Sequence, residues 1–167
     1  FDPLNARADL VGRRVRFVGD PHPRIQADYL RSLRFVRFFA RFATGLPESD
    51  SLEACISERA GLVRLSRERI GHEIMRLLVA RNAAPTITIM AEHGLLTQVL
   101  PITPIAGRLT AYVEIEERMA AGQRDPAMRL GALGIAVDED AANLQAALRL
   151  SNDEFRVLKF WARTIRD

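Results

Sequence analysis

Apolar residues recur at helical spacing along most of the chain, and they alternate with polar residues in one short segment only. In residues 67–80, four apolar side chains fall on one side of the helical turn, namely Ile70, Ile74, Leu77 and Leu78. Residues 14–18 alternate instead, and the turn-forming residues 19–21 follow them. The pattern therefore predicts one short strand and a turn near the start, and helices from Ile25 to the end.

Helix start and stop signals divide this helical region. Ser66 and Ser151 are suited to cap helices, and Glu154 completes a capping box with Ser151. Pro101 and Pro104 mark a break that we take as a domain boundary. The predicted helices cover residues 26–43, 51–60, 67–80, 85–93, 108–121, 126–133, 139–150 and 151 onward. The predicted fold class is all-α, a multi-helix array after a short extended N-terminal segment.

Composition narrows the class of protein further. The 167 residues include 48% hydrophobic and 27% charged residues, which is typical of a globular protein. All of the 24 basic residues except Lys159 are arginine, a residue suited to phosphates and carboxylates, although a compositional bias of the source genome accounts for most of them. The lone Cys55 excludes an internal disulfide framework and favours a reducing compartment. No apolar run approaches the roughly 20 residues of a membrane helix.

The predicted helix over residues 26–43 brings an acid and an arginine onto a side that also carries aromatic rings. Each residue turns by about 100°, so three phenylalanines lie within about 40° of Arg31, and Asp28 lies about 60° from it. These rings belong to Phe35, Phe38 and Phe42. The opposite side is apolar too, so we expect the helix to lie between two layers and to direct Asp28 and Arg31 into a partly enclosed space.

Three interpretations of Asp28 and Arg31 remain open on this geometry. They could form an ion pair one turn apart, or Asp28 could stabilise the positive end of the helix dipole. Alternatively, a carboxylate beside a guanidinium offers the acceptor and donors needed to recognise the edge of a nucleobase. Arg34, Arg37 and Arg41 form a separate stripe, which is either a solvated face or a contact surface for an RNA backbone.

No metal site is predicted from the residues. The three histidines are scattered, without an HExxH motif or a Cys/His cluster. The acidic run at 138–140 opens a helix, so we interpret Asp138 as an N-cap residue and the other two acids as dipole partners.

Four segments resemble the class II CCA-adding enzymes and bacterial poly(A) polymerases, which are template-independent RNA nucleotidyltransferases. They are "FDP" at 1–3, "ADLVGRRVRFVGDPHPRI" at 8–25, "ADYLRSLRFVRF" at 27–38 and "LSRERIGHEIMRLL" at 65–78. Beyond residue 100 the resemblance is weak. The resemblance of these segments implies a catalytic head that binds two metal ions and transfers nucleotides from CTP or ATP to an RNA 3′ end. Helical neck, body and tail domains would follow the head. It also implies a neck motif, Glu-Asp-x-x-Arg, whose Asp and Arg pair with the incoming base.

Carried over to this sequence, the resemblance implies that Asp28 and Arg31 are the nucleotide-binding pair. Ala27 stands where the family has its glutamate, which puts full discrimination between CTP and ATP in doubt. The resemblance further assigns a hinge to Asp2, Asp9 and Gly19, and support of the template helix to Glu68, Arg69 and Glu73.

The family's head motifs, a glycine-serine phosphate-binding motif and paired aspartates, do not occur in the sequence. Since the chain opens at Phe1, we expect a fragment: residues 1–25 as hinge and head remnant, 26–101 as neck and 102–167 as body. We expect no catalytic residue in the fragment and Mg²⁺ in the head of the parent enzyme. The predicted partners are a tRNA 3′ end, CTP and ATP, and the predicted compartment is the cytoplasm, without membrane association. The alternatives are poly(A) addition or a non-catalytic helical RNA-binding or interaction module.

Overall fold

The structure, a computed structural model, describes residues 6–119 and 124–166, and these fold into ten α-helices. Two 3₁₀ turns, Arg59–Arg64 and Leu96–Gln98, connect some of them. The helices are α1 Ala6–Val11, α2 Pro21–Ala27, α3 Leu30–Phe42, α4 Ser49–Ser57, α5 Arg67–Leu78, α6 Ala83–Glu92, α7 Ala106–Arg118, α8 Pro126–Gly134, α9 Asp138–Leu148 and α10 Asn152–Arg166. The all-α prediction is confirmed.

The predicted strand at residues 14–18 is wrong, since no strand occurs within residues 6–119 and 124–166. A strand requires a partner for its backbone groups, whereas this segment packs Val15 and Phe17 against the helical core. The backbone N–H of Phe17 donates to Ser51 Oγ over 3.2 Å. The start of the chain is not simply extended either, because α1 precedes this segment.

The helix predicted over residues 26–43 is divided into α2 and α3. Asp20 caps α2 by accepting a hydrogen bond from the backbone of His22, and the helix ends at Ala27. Asp28 leaves the helical conformation with φ −158° and ψ 103°. Its side chain then accepts a hydrogen bond from the backbone N–H of Leu30, at the start of α3. Asp28 therefore lies in the break between two helices and not within a continuous one.

Other capping predictions have mixed outcomes. Ser66 accepts from the backbone of Arg69, and Ser151 and Glu154 exchange the hydrogen bonds of a capping box, as predicted. Asp138 is not the N-cap residue of α9, because Val137 holds that position. Asp140 instead reaches back to the backbone N–H groups of residues 136 and 137.

Helix α5 is the centre of the packing, with contacts to α3 on one side and to α8 and α9 on the other. At Gly71 the backbone of α9 approaches so closely that a Cβ would lie 2.0 Å from the carbonyl oxygen of Leu148. The buried apolar residues form one cluster on both sides of the break at Pro101, with Leu100 and Leu109 both in it. The division into domains at residues 25 and 101 remains a prediction.

Candidate functional site

Asp28 occupies the break between α2 and α3, where its carboxylate serves two purposes. Oδ1 accepts from the backbone N–H of Leu30 at 3.1 Å, which satisfies one of the free donors at the start of α3. Both oxygens also accept from Nη2 of Arg69 in α5, at 3.1 and 2.9 Å. The Asp28 side chain is 31% exposed, so its carboxylate is oriented from two directions and still reaches solvent.

Arg31 lies one turn beyond Asp28, and its backbone N–H donates to the carbonyl of Asp28 at 3.0 Å. Its side chain is half-buried and makes no ion pair with any residue that the structure describes. The direct ion pair between Asp28 and Arg31 is therefore not formed. The dipole interpretation stays a prediction, although Asp28 accepts a hydrogen bond from the backbone at the start of α3. The Arg31 guanidinium therefore has donors that the described residues do not use, one turn beyond a residue whose carboxylate is already oriented by Arg69.

The expected aromatic surroundings of Arg31 differ from the prediction. Phe35 is buried and stacks on Phe17 with 5.4 Å between ring centroids, so residues 14–17 cover it. Phe38 and Phe42 are exposed further along α3, in a groove of about 670 Å³ to which neither Asp28 nor Arg31 contributes. The three rings therefore do not share one enclosed space with the Asp28 and Arg31 side chains.

Glu73, which is buried on α5, binds two arginines of α3. Its carboxylate accepts from Arg37 Nε at 2.5 Å and lies 3.5 Å from Arg34 Nε. Arg37 is only 12% exposed and its guanidinium packs over the Phe38 ring. Of the two interpretations of the arginine stripe, a solvated face does not apply to Arg37, whereas Arg34 and Arg41 are exposed. The contact of these three arginines with an RNA backbone stays a prediction. Glu73 fixes the rotation of α3 against α5, and thus the direction in which Arg31 projects.

The other residues of the predicted support and hinge are more dispersed. Glu68 pairs with Arg149 at the surface and forms no hydrogen bond or ion pair with Asp28. Asp9 accepts from Arg16 Nε at 2.7 Å, and Gly19 has a positive φ of 78° just before the cap of α2. Asp2 lies outside the described residues.

Sequence reasoning missed the contact that holds the break in place. The ring of Tyr29, directly after Asp28, packs on Gly61 so closely that a Cβ at Gly61 would lie 2.0 Å from Tyr29 Cε1. The Arg64 guanidinium lies 5.7 Å from the centroid of the same ring. Only a residue without a side chain permits this approach, so Gly61 contributes to the position of Asp28. The signal in the sequence is the glycine that follows the helix predicted over residues 51–60.

No site for a metal ion is found among the described side chains. They contain no group of three or more His, Cys, Asp or Glu residues close enough to hold one. Within the same residues, no helix is both long and apolar enough to cross a membrane.

Three comparisons with known proteins bear on this site. Residues 47–105 match the family described as "Probable RNA and SrmB-binding site of polymerase A". Over the full length of this chain, the sequence is 34% identical to "CCA tRNA nucleotidyltransferase 1, mitochondrial" from Danio rerio, and the chain covers 38% of that protein. It is 33% identical to the "CCA-adding enzyme" of Geobacillus stearothermophilus over 75% of the chain and 29% of that protein.

A solved structure is similar as well. The crystal structure of the Bacillus stearothermophilus CCA-adding enzyme in complex with CTP matches 95% of this chain and 37% of that chain, with a TM-score of 0.54 and 29% identity. The chain thus spans less than two fifths of the length of these relatives.

Proposed function

Because the chain belongs to the class II CCA-adding enzyme and poly(A) polymerase family, we propose that it is the nucleotide-selecting and RNA-binding part of an RNA nucleotidyltransferase. In this proposal residues 26–101 form the neck and residues 102–167 the body. The names of the relatives support CCA addition to tRNA over poly(A) addition, with CTP and ATP as the nucleotides.

One observation carries the proposal: the carboxylate of Asp28 is held by Arg69 and Leu30, and Arg31, one turn further on, has no ion-pair partner among the described residues. A guanidinium offers a planar fork of donors, and a carboxylate offers acceptors only. Cytosine and adenine both present an amino donor next to a ring-nitrogen acceptor. The two side chains match that pair, Asp28 accepting from the amino group and Arg31 donating to the ring nitrogen.

The same geometry supports a rigid template. A recognition residue discriminates between bases only if its own rotamer is fixed. Asp28 is fixed by Arg69 on one side and by its capping bond on the other, and α3 is fixed by Glu73. The family has a glutamate where this chain has Ala27. That glutamate is not needed here to hold Asp28 in place, because Arg69 of α5 already does so.

The metal chemistry lies elsewhere in this proposal. Phosphoryl transfer requires metal ions held against the phosphates, and the described residues do not form such a site. We assign Mg²⁺ to a head domain outside this chain. We also propose a cytoplasmic location, since the single cysteine, Cys55, favours a reducing compartment.

Titration of the isotope-labelled chain with CTP, ATP, UTP and GTP up to millimolar concentration, followed by NMR, tests the proposal. We expect CTP and ATP to shift the signals of Asp28, Arg31 and Arg69, and UTP and GTP to shift them much less. Arg31→Ala should weaken CTP and ATP binding by about tenfold or more, since a hydrogen bond that involves a charged group is worth about 1.5–3 kcal/mol. Arg163→Ala, on an exposed face of α10, is the matched control. Equal shifts with all four nucleotides, or equal losses in the two variants, would leave only a non-catalytic RNA-binding or interaction module.

A further inference from the structure

The last turn of α9 lies against α5, on the side of α5 that faces away from the candidate site. Successive residues of a helix turn by about 100°, so Gly71 points about 200° away from Arg69, whereas Glu73 lies within about 40° of Arg69. Arg69 and Glu73 contact Asp28 and the arginines of α3, and Gly71 contacts the end of α9. Helix α5 thus lies between Asp28 and the end of α9.

The contact at Gly71 is made by backbone atoms. A Cβ at this position would lie 2.0 Å from the carbonyl oxygen of Leu148 and 2.9 Å from its carbonyl carbon. A glycine in the middle of a helix is less favourable than an alanine, and the close approach of α9 accounts for its presence here. Because no side chain lies between the two backbones at this point, neither helix can compensate for a shift of the other by changing a rotamer.

The end of α9 has a defined shape. Arg149 follows the last helical residue in the left-handed conformation, with φ 53° and ψ 45°, and its backbone N–H donates to the carbonyl of Gln145. The backbone N–H of Leu150 donates to the same carbonyl at 3.2 Å. Such an end satisfies a carbonyl that the last turn of a helix leaves free. The left-handed conformation is uncommon for a residue other than glycine, so the surrounding structure maintains it.

The side chains around this contact are exposed and bind weakly. Glu68 and Arg149 form an exposed ion pair at 3.3 Å, and Arg67 Nη1 lies 3.5 Å from the carbonyl oxygen of Ala146. Exposed pairs of this kind contribute little to stability. The backbone contact at Gly71 therefore determines how α5 lies on α9, and the surrounding side chains do not.

We propose that the last turn of α9, residues 145–149, is a positioning element for nucleotide recognition, acting through Gly71 on Arg69 and thereby on the Asp28 carboxylate. This inference rests on the proposed function, in which Asp28 accepts a hydrogen bond from the base. Gly71 lies two residues from Arg69, about 3 Å along the helix axis, so a displacement of α5 at Gly71 moves Arg69 as well.

The tolerance of a recognition site decides how much such a displacement matters. Its groups must be held within about 0.5 Å of the productive geometry. Side-chain Cβ atoms require about 3.0 Å or more, so relieving a contact of 2.0 Å at residue 71 displaces one of the two helices by about 1 Å. Because α9 lies within residues 102–167, nucleotide choice would depend on the predicted body as well as on the predicted neck.

NMR titration of the chain with CTP and with UTP tests the proposal through the ratio of the two affinities. Uracil presents a carbonyl oxygen where cytosine has its amino group. Gly71→Ala should lower the preference for CTP over UTP by about tenfold, because a displaced Arg69 no longer orients the charged acceptor for that amino group. A loss of stability alone reduces the folded fraction, weakens both nucleotides equally and leaves the ratio unchanged.

The matched control for this change is Gly131→Ala in α8. A Cβ at Gly131 would lie 2.1 Å from Cδ1 of Trp161 in α10, so the overlap is similar but does not involve α5 or α9. The variant should lose stability and keep the preference for CTP. Circular dichroism gives the temperature at which each variant is folded, and the titrations are carried out below it.

A second pair of variants leaves the contact at Gly71 unfilled. Arg149→Val and Arg149→Gly both remove the ion pair with Glu68, but only valine, which is β-branched, opposes the left-handed conformation at the end of α9. We expect Arg149→Val to lower the preference for CTP by about threefold and Arg149→Gly to retain it.

The side-chain carboxyl carbon signal of Asp28, recorded without nucleotide, reports the contact with Arg69 directly. It should move in Gly71→Ala and in Arg149→Val toward its position in Arg69→Ala. It should stay in place in Gly131→Ala. An unchanged signal and an unchanged preference for CTP in both Gly71→Ala and Arg149→Val would overturn the proposal. A preference that falls as far in Gly131→Ala as in Gly71→Ala would overturn it too.

The outcomes separate this proposal from the proposed function. If the unchanged chain binds CTP and UTP equally, the proposed function fails and the role of α9 in nucleotide choice fails with it. If the unchanged chain prefers CTP, and the Gly71 and Arg149 variants keep both that preference and the Asp28 signal, the positioning proposal alone is wrong.

Discussion

Arg129 on α8 and Arg31 on α3 show two opposite uses of the same side chain. Arg129 is 1% exposed, and its donors are taken by Glu116 on α7 and by the carbonyl oxygen of Leu78 at the end of α5. Arg31 is half-buried and has no ion-pair partner in the described part of the chain. One guanidinium thus joins three helices, and the other remains available to a ligand.

The difference shows why an arginine-rich composition does not by itself indicate function. A buried charge must have partners, because the cost of taking it out of water is several kcal/mol, and Arg129 has them. A partly exposed guanidinium can remain unpaired at little cost, because water satisfies its donors until a ligand replaces them. Unused donors next to an oriented carboxylate therefore distinguish the candidate site from the structural arginines.

The largest expected effect comes from removing the buried cation of Arg129. Arg129→Met leaves the carboxylate of Glu116 buried without its cation, and we expect a loss of about 3–5 kcal/mol in the free energy of unfolding. Urea denaturation measures it. The double variant Arg129→Met with Glu116→Leu should recover most of that loss, because no unpaired charge remains. A double variant as unstable as the single one would contradict this account of Arg129.

A smaller effect is expected where the candidate site is fixed by close packing. Gly61→Ala places a Cβ 2.0 Å from the Tyr29 ring, and the resulting overpacking should cost about 1–3 kcal/mol. Because Tyr29 follows Asp28, the NMR signals of Asp28 and Arg69 should shift as well.

Gly107→Ala is the matched control for this change, since no atom lies within 4 Å of a Cβ at Gly107 and the residue lies in α7. It should leave stability unchanged or raise it by up to about 1 kcal/mol. If the two alanine variants had the same stability, the contact between Tyr29 and Gly61 would have no role in the break.

Arg69→Ala tests the partly exposed ion pair at the candidate site. The ion pair with Asp28 is partly solvated, so its loss should cost less than about 1 kcal/mol of stability. Nucleotide binding should nevertheless weaken, because Asp28 loses the contact that orients it. Arg149→Ala breaks a similarly exposed pair with Glu68 and should change neither property appreciably. Equal nucleotide affinity in both variants would remove Arg69 from the site.

The smallest expected effect concerns Glu58, between α4 and the following 3₁₀ turn. Hydrogen bonds from His22 and Gln26 lower the pKa of the Glu58 carboxyl below its ordinary value of 4.5. A lowered pKa stabilises the fold above the pKa of the unfolded chain, and this contribution is lost as the pH falls through the folded pKa. Glu58→Gln should therefore have a slightly lower melting temperature than the unchanged chain at neutral pH, with the difference vanishing well below pH 4.5. A difference that grows on acidification would contradict this assignment.

The sequence by itself determined the helical class, the caps at Ser66 and Ser151, and the family resemblance. Each of these features depends on residues a few positions apart, and in a helix such residues lie on the same face. The break at Asp28, by contrast, depends on partners far along the chain, since Arg69 and Gly61 lie more than thirty residues away.

Only the tertiary structure decided which arginines form ion pairs within the protein and which do not. The helical position of Arg37 is compatible with a solvated face or with an RNA contact, but Arg37 is paired with Glu73 across the contact of α3 with α5. The alternation in residues 14–18 predicts a strand, yet the segment has no partner strand within residues 6–119 and 124–166, and its Phe17 stacks on Phe35 instead. A local pattern sets how a side chain projects from its own helix, whereas what it meets there depends on helices that only the folded chain brings together.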